Sequence, residues 1–251
     1  MTRRLFAAQA GTFESPTWLF RATDVLAWIE SSTPVGAEDR VLDVAGGTGA
    51  LGRHLSRASA GCVVLDVVPE MLDAGAKAAA AEGRRDVLFV EGDAAAMPFR
   101  DGQFDVVVTR FALHHMTDPG RALAEMARVC RRGGRVTAID MVAELGAAGD
   151  EHNRLERLRD PSHTSALRHD ELVALVEAAG VRIDARSERD YAMPVTRWLA
   201  QTHTDAAATE RIESALQAEL DGGAVTGLRP EARDGELAVV QRWALVGGTV
   251  G

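Results

Sequence analysis

Between Arg40 and Asp140 the chain alternates short, almost purely apolar runs with longer stretches of helical pattern. The apolar runs cover residues 40–44, 62–66, 87–90, 104–109 and 135–140. Strands that lack a polar alternation are buried on both faces, which is typical of a parallel sheet covered by helices on each side. The pattern therefore predicts an α/β fold, and ligands of such folds bind beyond the carboxyl ends of the strands.

The segments outside these runs indicate helices and a different C-terminal part. Between the strands, helices are predicted over residues 49–58, 69–81 and 118–131, and a further helix over 16–30 precedes them. Beyond residue 145, helices are predicted at 150–159, 165–179, 194–200 and 205–220, with strands at 181–189 and 237–246. A late antiparallel strand would finish the sheet, and the inserted helices would cap the strand ends.

Composition narrows the class of protein. The chain has 251 residues, 46% of them hydrophobic, which suits one large domain or a domain with a modest cap. Its net charge of −9 disfavours nucleic acid and anionic membranes as partners. No run approaches the roughly 18 apolar residues of a membrane span and no signal peptide is evident, so we expect a cytoplasmic monomer or homodimer. Cys62 and Cys130 are expected to be buried thiols, because they lie in apolar runs.

The loop after the first strand, Asp43 to Gly49, is rich in glycine. Glycines allow a tight strand-to-helix turn and a close approach of backbone to a ligand. The segment Gly47 to Gly52 also satisfies G-x-G-x-x-G, the dinucleotide fingerprint, and Asp66 ends the next strand where an acid that binds ribose would lie. The loop alone therefore allows two classes of cofactor.

Two further acids favour one of them. Asp43 lies inside the strand end before the glycines, where it would attract a cationic amino-acid group but offer nothing to a pyrophosphate. Asp93 follows the third strand, where a carboxylate can accept a hydrogen bond from an exocyclic amine. Met97 and Phe99, further along the chain, would either cover a purine face or pack in the core.

Together these motifs resemble those of class I S-adenosylmethionine-dependent methyltransferases over residues 40–141. Their loop pattern of an acid followed by three alternating glycines is matched with Ala45 in place of the first glycine. That replacement is frequent in the subgroup that resembles ubiquinone/menaquinone-biosynthesis methyltransferases. The further matching motifs are Leu65–Leu72, Gly92–Ala94, Phe104–Val107, Leu113–Pro119 and Arg159–His163.

The resemblance implies a Rossmann-like fold with a mostly parallel seven-stranded sheet, helices on both faces, N-terminal helices and a helical cap. It also implies an N-terminal helical lid (1–36), a cofactor-binding core (37–145) and the remainder of the sheet with the cap (146–251). S-adenosylmethionine would be the cofactor and S-adenosylhomocysteine the product. The implied cofactor contacts are Asp43, Ala45, Gly46, Gly47 and Gly49 for the methionine part, Asp66 for the ribose, Val67 and Met71 beside the adenine, Gly92, Asp93 and Ala94 at the adenine amine, Arg110 and Phe111 on the methionine side, and Phe13 or Trp18 at the sulfonium.

The histidines are the candidates for catalysis, although the resemblance favours a structural role for the pair at 114–115, with one ring packed and the other near the cofactor. His114 and His115 follow the fourth strand, and His163 lies on the loop into the cap, where Asp160 would orient it. A histidine near its ordinary pKa can take a proton from a hydroxyl or a carbon acid. His152, His169 and His203 are expected in solvated helices, and the spacing of these side chains indicates no metal site.

The sequence thus predicts methyl transfer to an oxygen or carbon atom of a small organic molecule. Two alternatives stay open. The fold and cofactor could serve a cyclase or an isomerase that transfers no methyl group, since its cofactor motifs would be the same. Alternatively, the segment Gly47 to Gly52 could bind a nicotinamide cofactor in an oxidoreductase, although the carboxylate of Asp43 disfavours this.

Overall fold

The computed structural model describes residues 2–11, 13–14, 23–233 and 235–251. Of the helix predicted over residues 16–30, it describes the part from residue 23 onward. Trp18 lies outside the described residues.

The strands form one sheet whose centre is parallel. They are β1 (Arg40–Val44), β2 (Gly61–Asp66), β3 (Val87–Glu91), β4 (Phe104–Arg110), β5 (Cys130–Ala143), β6 (Leu167–Arg168), β7 (Val181–Pro194), β8 (Glu231–Arg233) and β9 (Glu236–Val250). Seven follow the order β3-β2-β1-β4-β5-β9-β7, while β6 pairs with β5 and β8 with β9. The pairs among β1 to β5 are parallel, and β9 is antiparallel to both β5 and β7. The predicted fold is confirmed, with two additional strands of two and three residues that are too short for a hydrophobic pattern to reveal.

Helices cover the sheet and extend the C-terminal part. They are α1 (Thr2–Gln9), α2 (Thr23–Ser32), α3 (Ala50–Leu55), α4 (Pro69–Ala81), α5 (Pro119–Val129), α6 (Ala147–Arg159), α7 (His169–Ala178), α8 (Val195–Ala200) and α9 (Ala206–Leu220). Asp118 caps α5 as predicted, since its carboxylate accepts a hydrogen bond from the Arg121 amide at 2.9 Å. α5 ends at Val129 and β5 begins at the next residue, earlier than the glycine pair at 133–134 suggests.

Side chains along the central strands alternate between two apolar layers. On β1, Val41 packs into the core cluster on one face of the sheet and Leu42 into the cluster on the other. Val106 and Val107 on β4 divide in the same way. Burial on both faces is the physical reason why these strands read as continuous apolar runs in the sequence.

The C-terminal helices continue the first of these layers. Trp198 of α8 and Ile212 of α9 are fully buried in the same cluster as Val41. The prediction that His152 is solvated is wrong, because α6 places its ring in this interior with 2% of the residue exposed. No helix in the described ranges is long and apolar enough to cross a membrane.

Candidate active site

The glycine loop is held in shape by the carboxylate that precedes it. Asp43 is buried at the end of β1, and its Oδ2 accepts a hydrogen bond from the Gly52 amide at 2.8 Å. A Cβ atom on Gly46 would lie 2.7 Å from Cγ of Asp43, and one on Gly49 would lie 2.7 Å from a methyl group of Val64. Both glycines are therefore required by close packing of the loop against β1 and β2.

Ala45 occupies backbone geometry that favours glycine. Its φ angle is +50°, in the left-handed region, and Gly47 and Gly49 have φ angles of +58° and +73°. The position at which the family pattern has its first glycine thus keeps a glycine-like conformation despite its side chain.

Asp43 is also the most perturbed acid of the loop. Burial raises its pKa from the ordinary 3.8 to about 6, against the opposing attraction of Arg110. Its Oδ1 is buried and has no hydrogen-bond partner among the residues described. A buried carboxylate oxygen without a donor is costly unless a ligand supplies one.

Asp66, on the neighbouring strand, is hydrogen-bonded to the glycine loop. It ends β2, and its two oxygens accept hydrogen bonds from the amides of Gly47, at 2.8 Å, and Val68, at 2.9 Å. Burial raises the pKa of this carboxyl. Each carboxylate oxygen has a second lone pair, so Asp66 can still accept bonds from two hydroxyl groups.

The third acid of the site, Asp93, is exposed to solvent. It follows β3 and accepts a hydrogen bond from the Ala95 amide at 2.8 Å. Gly92, Asp93 and Ala94 all line the same cavity as the glycine loop. Met97 and Phe99 are absent from that lining and pack in the core, which is one of the two alternatives that the sequence left open.

The N-terminal segment covers one side of this cavity. Phe6 and Phe13 pack with Val67 and Met71 in a small apolar cluster, and all four residues line the cavity. Arg53 links this segment to the loop.

That link is an ion pair with further bonds. The Arg53 guanidinium pairs with Glu14 at 2.9 Å and donates to the Thr48 carbonyl at 2.6 Å. Arg53 is 2% exposed, so water screens this pair little.

One cavity of about 580 Å³ joins the predicted cofactor residues to the cap. Asp43, Ala45, Gly46, Gly47, Asp66, Val67, Met71, Gly92, Asp93, Ala94, Arg110, Phe111 and Phe13 all line it. Gly49 does not line it and serves the turn. The cavity is also lined by His114, His115, Met141, Arg159, Asp160, Gln201 and Thr202.

His114 is hydrogen-bonded to the carboxylate of Asp140, which the sequence did not single out as a site residue. Its Nδ1 lies 2.6 Å from Oδ1 of Asp140, which also accepts the Met141 amide, so Nδ1 donates this bond. Burial lowers the pKa of His114, but the Asp140 carboxylate outweighs burial and the net pKa lies above its usual range. A single carboxylate inside the apolar run of β5 is the signal that identifies Asp140.

His115 has a different environment one residue further on. Its Nδ1 lies 3.2 Å from the Ser162 carbonyl oxygen and 3.1 Å from the Ser162 hydroxyl, whose proton is donated to Asp160 at 2.6 Å. A carbonyl only accepts, so Nδ1 of His115 carries the proton. Burial and the neighbouring His114 hold the pKa of His115 well below its usual range.

His163 lies behind the other two rings. It does not line the cavity, and its ring centre is 5.5 Å from that of His114. Its Nε2 donates to the Asn153 side-chain oxygen at 2.7 Å, an oxygen that also accepts the Ala166 amide. The expectation that Asp160 orients His163 is therefore wrong, because Asn153 does so. Burial lowers the pKa of His163 to about 4.

The C-terminal end of α6 brings a cation to the cavity. Arg159 pairs with the fully buried Glu156 at 2.7 Å, and its guanidinium lies 4.9 Å from the ring centre of Trp198. Gln241 of β9 donates to the same glutamate at 2.8 Å. These contacts fix the end of α6, and with it Asp160, against the sheet.

Comparison with known proteins agrees with this geometry. Residues 42–138 match a family model described as a methyltransferase domain. The chain is 38% identical over 128 residues to the uncharacterised methyltransferase YcgJ of Bacillus subtilis, a match that covers 51% of each chain. It is 30% identical over 151 residues to the uncharacterised protein YafE of Escherichia coli, covering 60% of this chain and 73% of YafE.

More specific relatives match over a shorter span. The ubiquinone/menaquinone biosynthesis C-methyltransferase UbiE of Ruegeria sp. is 45% identical over 104 residues, which cover 40% of this chain and 42% of UbiE. The match thus spans about half of YcgJ and less than half of UbiE. The crystal structure of B. subtilis YcgJ superposes with a TM-score of 0.82 at 25% identity, over 91% of this chain and 99% of YcgJ. The chain belongs to the class I S-adenosylmethionine-dependent methyltransferases.

Proposed function

We propose that this protein transfers the methyl group of S-adenosylmethionine to an oxygen or carbon atom of a small organic acceptor, as a step of biosynthesis. The observation that carries the proposal is the single cavity that joins the glycine loop to His114, His115 and the cap. Two reactants held in one enclosed space gain most of their rate from proximity and alignment.

The residues at one end of the cavity fit the cofactor. The unpartnered Oδ1 of Asp43 suits the ammonium of its amino-acid part. The free lone pairs of Asp66 suit the ribose hydroxyls, and Asp93 suits the adenine amine. Phe13 and Met71 pack on this side, and residues 1–36 would form a lid that the Arg53–Glu14 pair fastens to the loop.

The loop fits a dinucleotide less well. A pyrophosphate binds to free backbone amides at the start of a helix. Here the amides of Gly47 and Gly52 already donate to the carboxylates of Asp66 and Asp43. A phosphate would have to displace two carboxylates and then tolerate their negative charge.

At the other end, the cap residues 146–251 would hold the acceptor. When bound, the cofactor supplies a methyl group on a sulfonium whose departure as a neutral thioether needs no acid. The protein has to align the acceptor and exclude water, and a base is needed only where the nucleophile keeps a proton. His114 and His115 are placed to handle that proton, whereas His163 would act only through His114.

Calorimetry with two ligands tests the proposal. We expect S-adenosylhomocysteine to bind one to one and NAD to show no heat of binding. Incubation with S-adenosylmethionine and candidate acceptors should then give products heavier by one CH₂ group, measured by mass spectrometry. Binding of NAD alone would refute the proposal, and turnover without that mass gain would favour a cyclase or an isomerase.

A further inference from the structure

His114 and His115 are neighbours with opposite hydrogen-bonding requirements. Their ring centres lie 4.0 Å apart, and both residues line the cavity. Nδ1 of each ring is engaged by protein, by Asp140 for His114 and by Ser162 for His115. In neither ring does Nε2 form a hydrogen bond with any residue that the structure describes.

The environment of His114 favours a second proton, on Nε2, in addition to the one on Nδ1. Asp140 is 2% exposed and binds both the ring and the backbone amide of His114. A buried carboxylate at 2.6 Å stabilises the imidazolium, which carries a proton on each nitrogen. The other titratable groups that act on this ring, or share its cluster, are His115, His152, Glu156, Asp160 and His163. Two of them, Glu156 and Asp160, add to the stabilisation of the cation.

The environment of His115 makes its Nε2 an acceptor. The Ser162 carbonyl requires a proton on Nδ1, and Asp160 turns the Ser162 hydroxyl proton away from the ring. A second positive charge 4.0 Å from the His114 imidazolium is unfavourable in a buried site. His115 therefore stays neutral, with a bare lone pair on Nε2.

We propose that the two rings form a donor–acceptor pair that binds a hydroxy-carbonyl unit of the methyl acceptor. The hydroxyl donates to Nε2 of His115, and the carbonyl oxygen on the neighbouring carbon accepts from Nε2–H of His114. Environments that push two like groups to opposite protonation states are how one site provides both an acid and a base. The proposal rests on the proposed function and deepens it by selecting an oxygen nucleophile.

The transfer step balances with these two rings. The new O–CH₃ bond forms as the methyl leaves sulfur, and the O–H bond of the acceptor breaks. Its proton, held in the hydrogen bond to Nε2 of His115, passes to solvent, and His115 is neutral before and after the step. The donor bond from His114 withdraws charge from the carbonyl, which makes the adjacent hydroxyl more acidic. Asp140, Asp160 and Ser162 are positioning residues, since they act through the rings.

Histidine ring NMR tests the pair without turnover. In ¹⁵N-histidine protein saturated with S-adenosylhomocysteine at pH 7, we expect His114 to be protonated on both nitrogens and His115 on Nδ1 alone. Asp140→Asn should lower the titration midpoint of His114 by about one pH unit or more. Glu30→Gln, whose partner is the partly buried His54, is the matched control and should leave His114 unchanged. A neutral His114, or a proton on Nε2 of His115, overturns the proposal.

Two small probes test the ligand class. Tropolone carries a hydroxyl beside its carbonyl, and tropone lacks the hydroxyl. In the presence of S-adenosylhomocysteine we expect tropolone to bind about tenfold more tightly than tropone, the effect of one added hydrogen bond. Equal binding, or no binding of either probe, overturns the assignment. Failure of S-adenosylhomocysteine to bind would instead refute the proposed function. The protonation states of His114 and His115, measured in the free protein, would then still test the donor–acceptor pair.

Discussion

Asp43→Asn should stabilise the ligand-free protein and weaken cofactor binding. A pKa raised from 3.8 to about 6 means that the ionised carboxylate destabilises the folded state. Each tenfold change in a proton equilibrium is about 1.4 kcal/mol, so the penalty above pH 6 is about 3 kcal/mol. This pKa already includes the attraction of Arg110. Asparagine removes the charge and keeps an oxygen for the Gly52 amide.

The sign follows from the two pKa values. Below pH 3.8 the carboxyl is protonated in both the folded and the unfolded chain, and it contributes no penalty. Between pH 3.8 and about 6 the unfolded chain has lost the proton that the folded chain still holds. Over this range the wild type therefore loses stability that the variant keeps. Urea unfolding should therefore show Asp43→Asn to be more stable by about 1.5 kcal/mol at pH 5 and about 3 kcal/mol above pH 7.

Cofactor affinity should change in the opposite direction. A lost hydrogen bond to a charged group weakens S-adenosylhomocysteine binding by about 10- to 100-fold at pH 7.5, measured by calorimetry. Asp105→Asn is the matched control. Asp105 pairs with Arg40 and Arg131 at the amino ends of β1 and β4, away from the glycine loop. Its pKa is lowered, so its loss should destabilise the protein and leave the affinity unchanged. A destabilised Asp43→Asn with normal affinity would refute the reasoning.

Three further changes test other parts of the structure. Ala45→Gly should raise the free energy of unfolding by about 0.5 kcal/mol by relieving a positive φ, whereas Ala76→Gly in α4 should lower it by about 1 kcal/mol. Between pH 7 and pH 4.5 mainly the unfolded chain takes up a proton on His163, which costs the wild type about 2 kcal/mol of stability. His163→Gln should therefore lose about 2 kcal/mol less stability than the wild type over this range, and equal losses in both proteins would contradict the reasoning. Glu14→Gln should break the pair with Arg53 and raise the dissociation rate of S-adenosylhomocysteine several-fold in stopped flow, and an unchanged rate would argue against a lid.

Local features of the chain predict which residues meet at the glycine loop. Continuous apolar runs locate β1 and β2, and the turn that follows β1 requires glycine at close contacts such as Gly46. Because parallel strands end at one edge of the sheet, Asp43 and Asp66 had to meet there. The sequence left Met97 open between the ligand and the core, since a residue near a strand end can turn toward either; the structure places it in the core.

The sequence by itself determined the α/β fold, the order of its motifs and the class of cofactor, because spacing and hydrophobic pattern are local properties. Only the tertiary structure decided the environments of His114 and His115. Two adjacent histidines look alike in the sequence, yet Asp140 lies 26 residues from His114 and Ser162 lies 47 residues from His115. Protonation depends on burial and on such distant partners, which exist only once β5 and the segment after α6 are packed beside the loop.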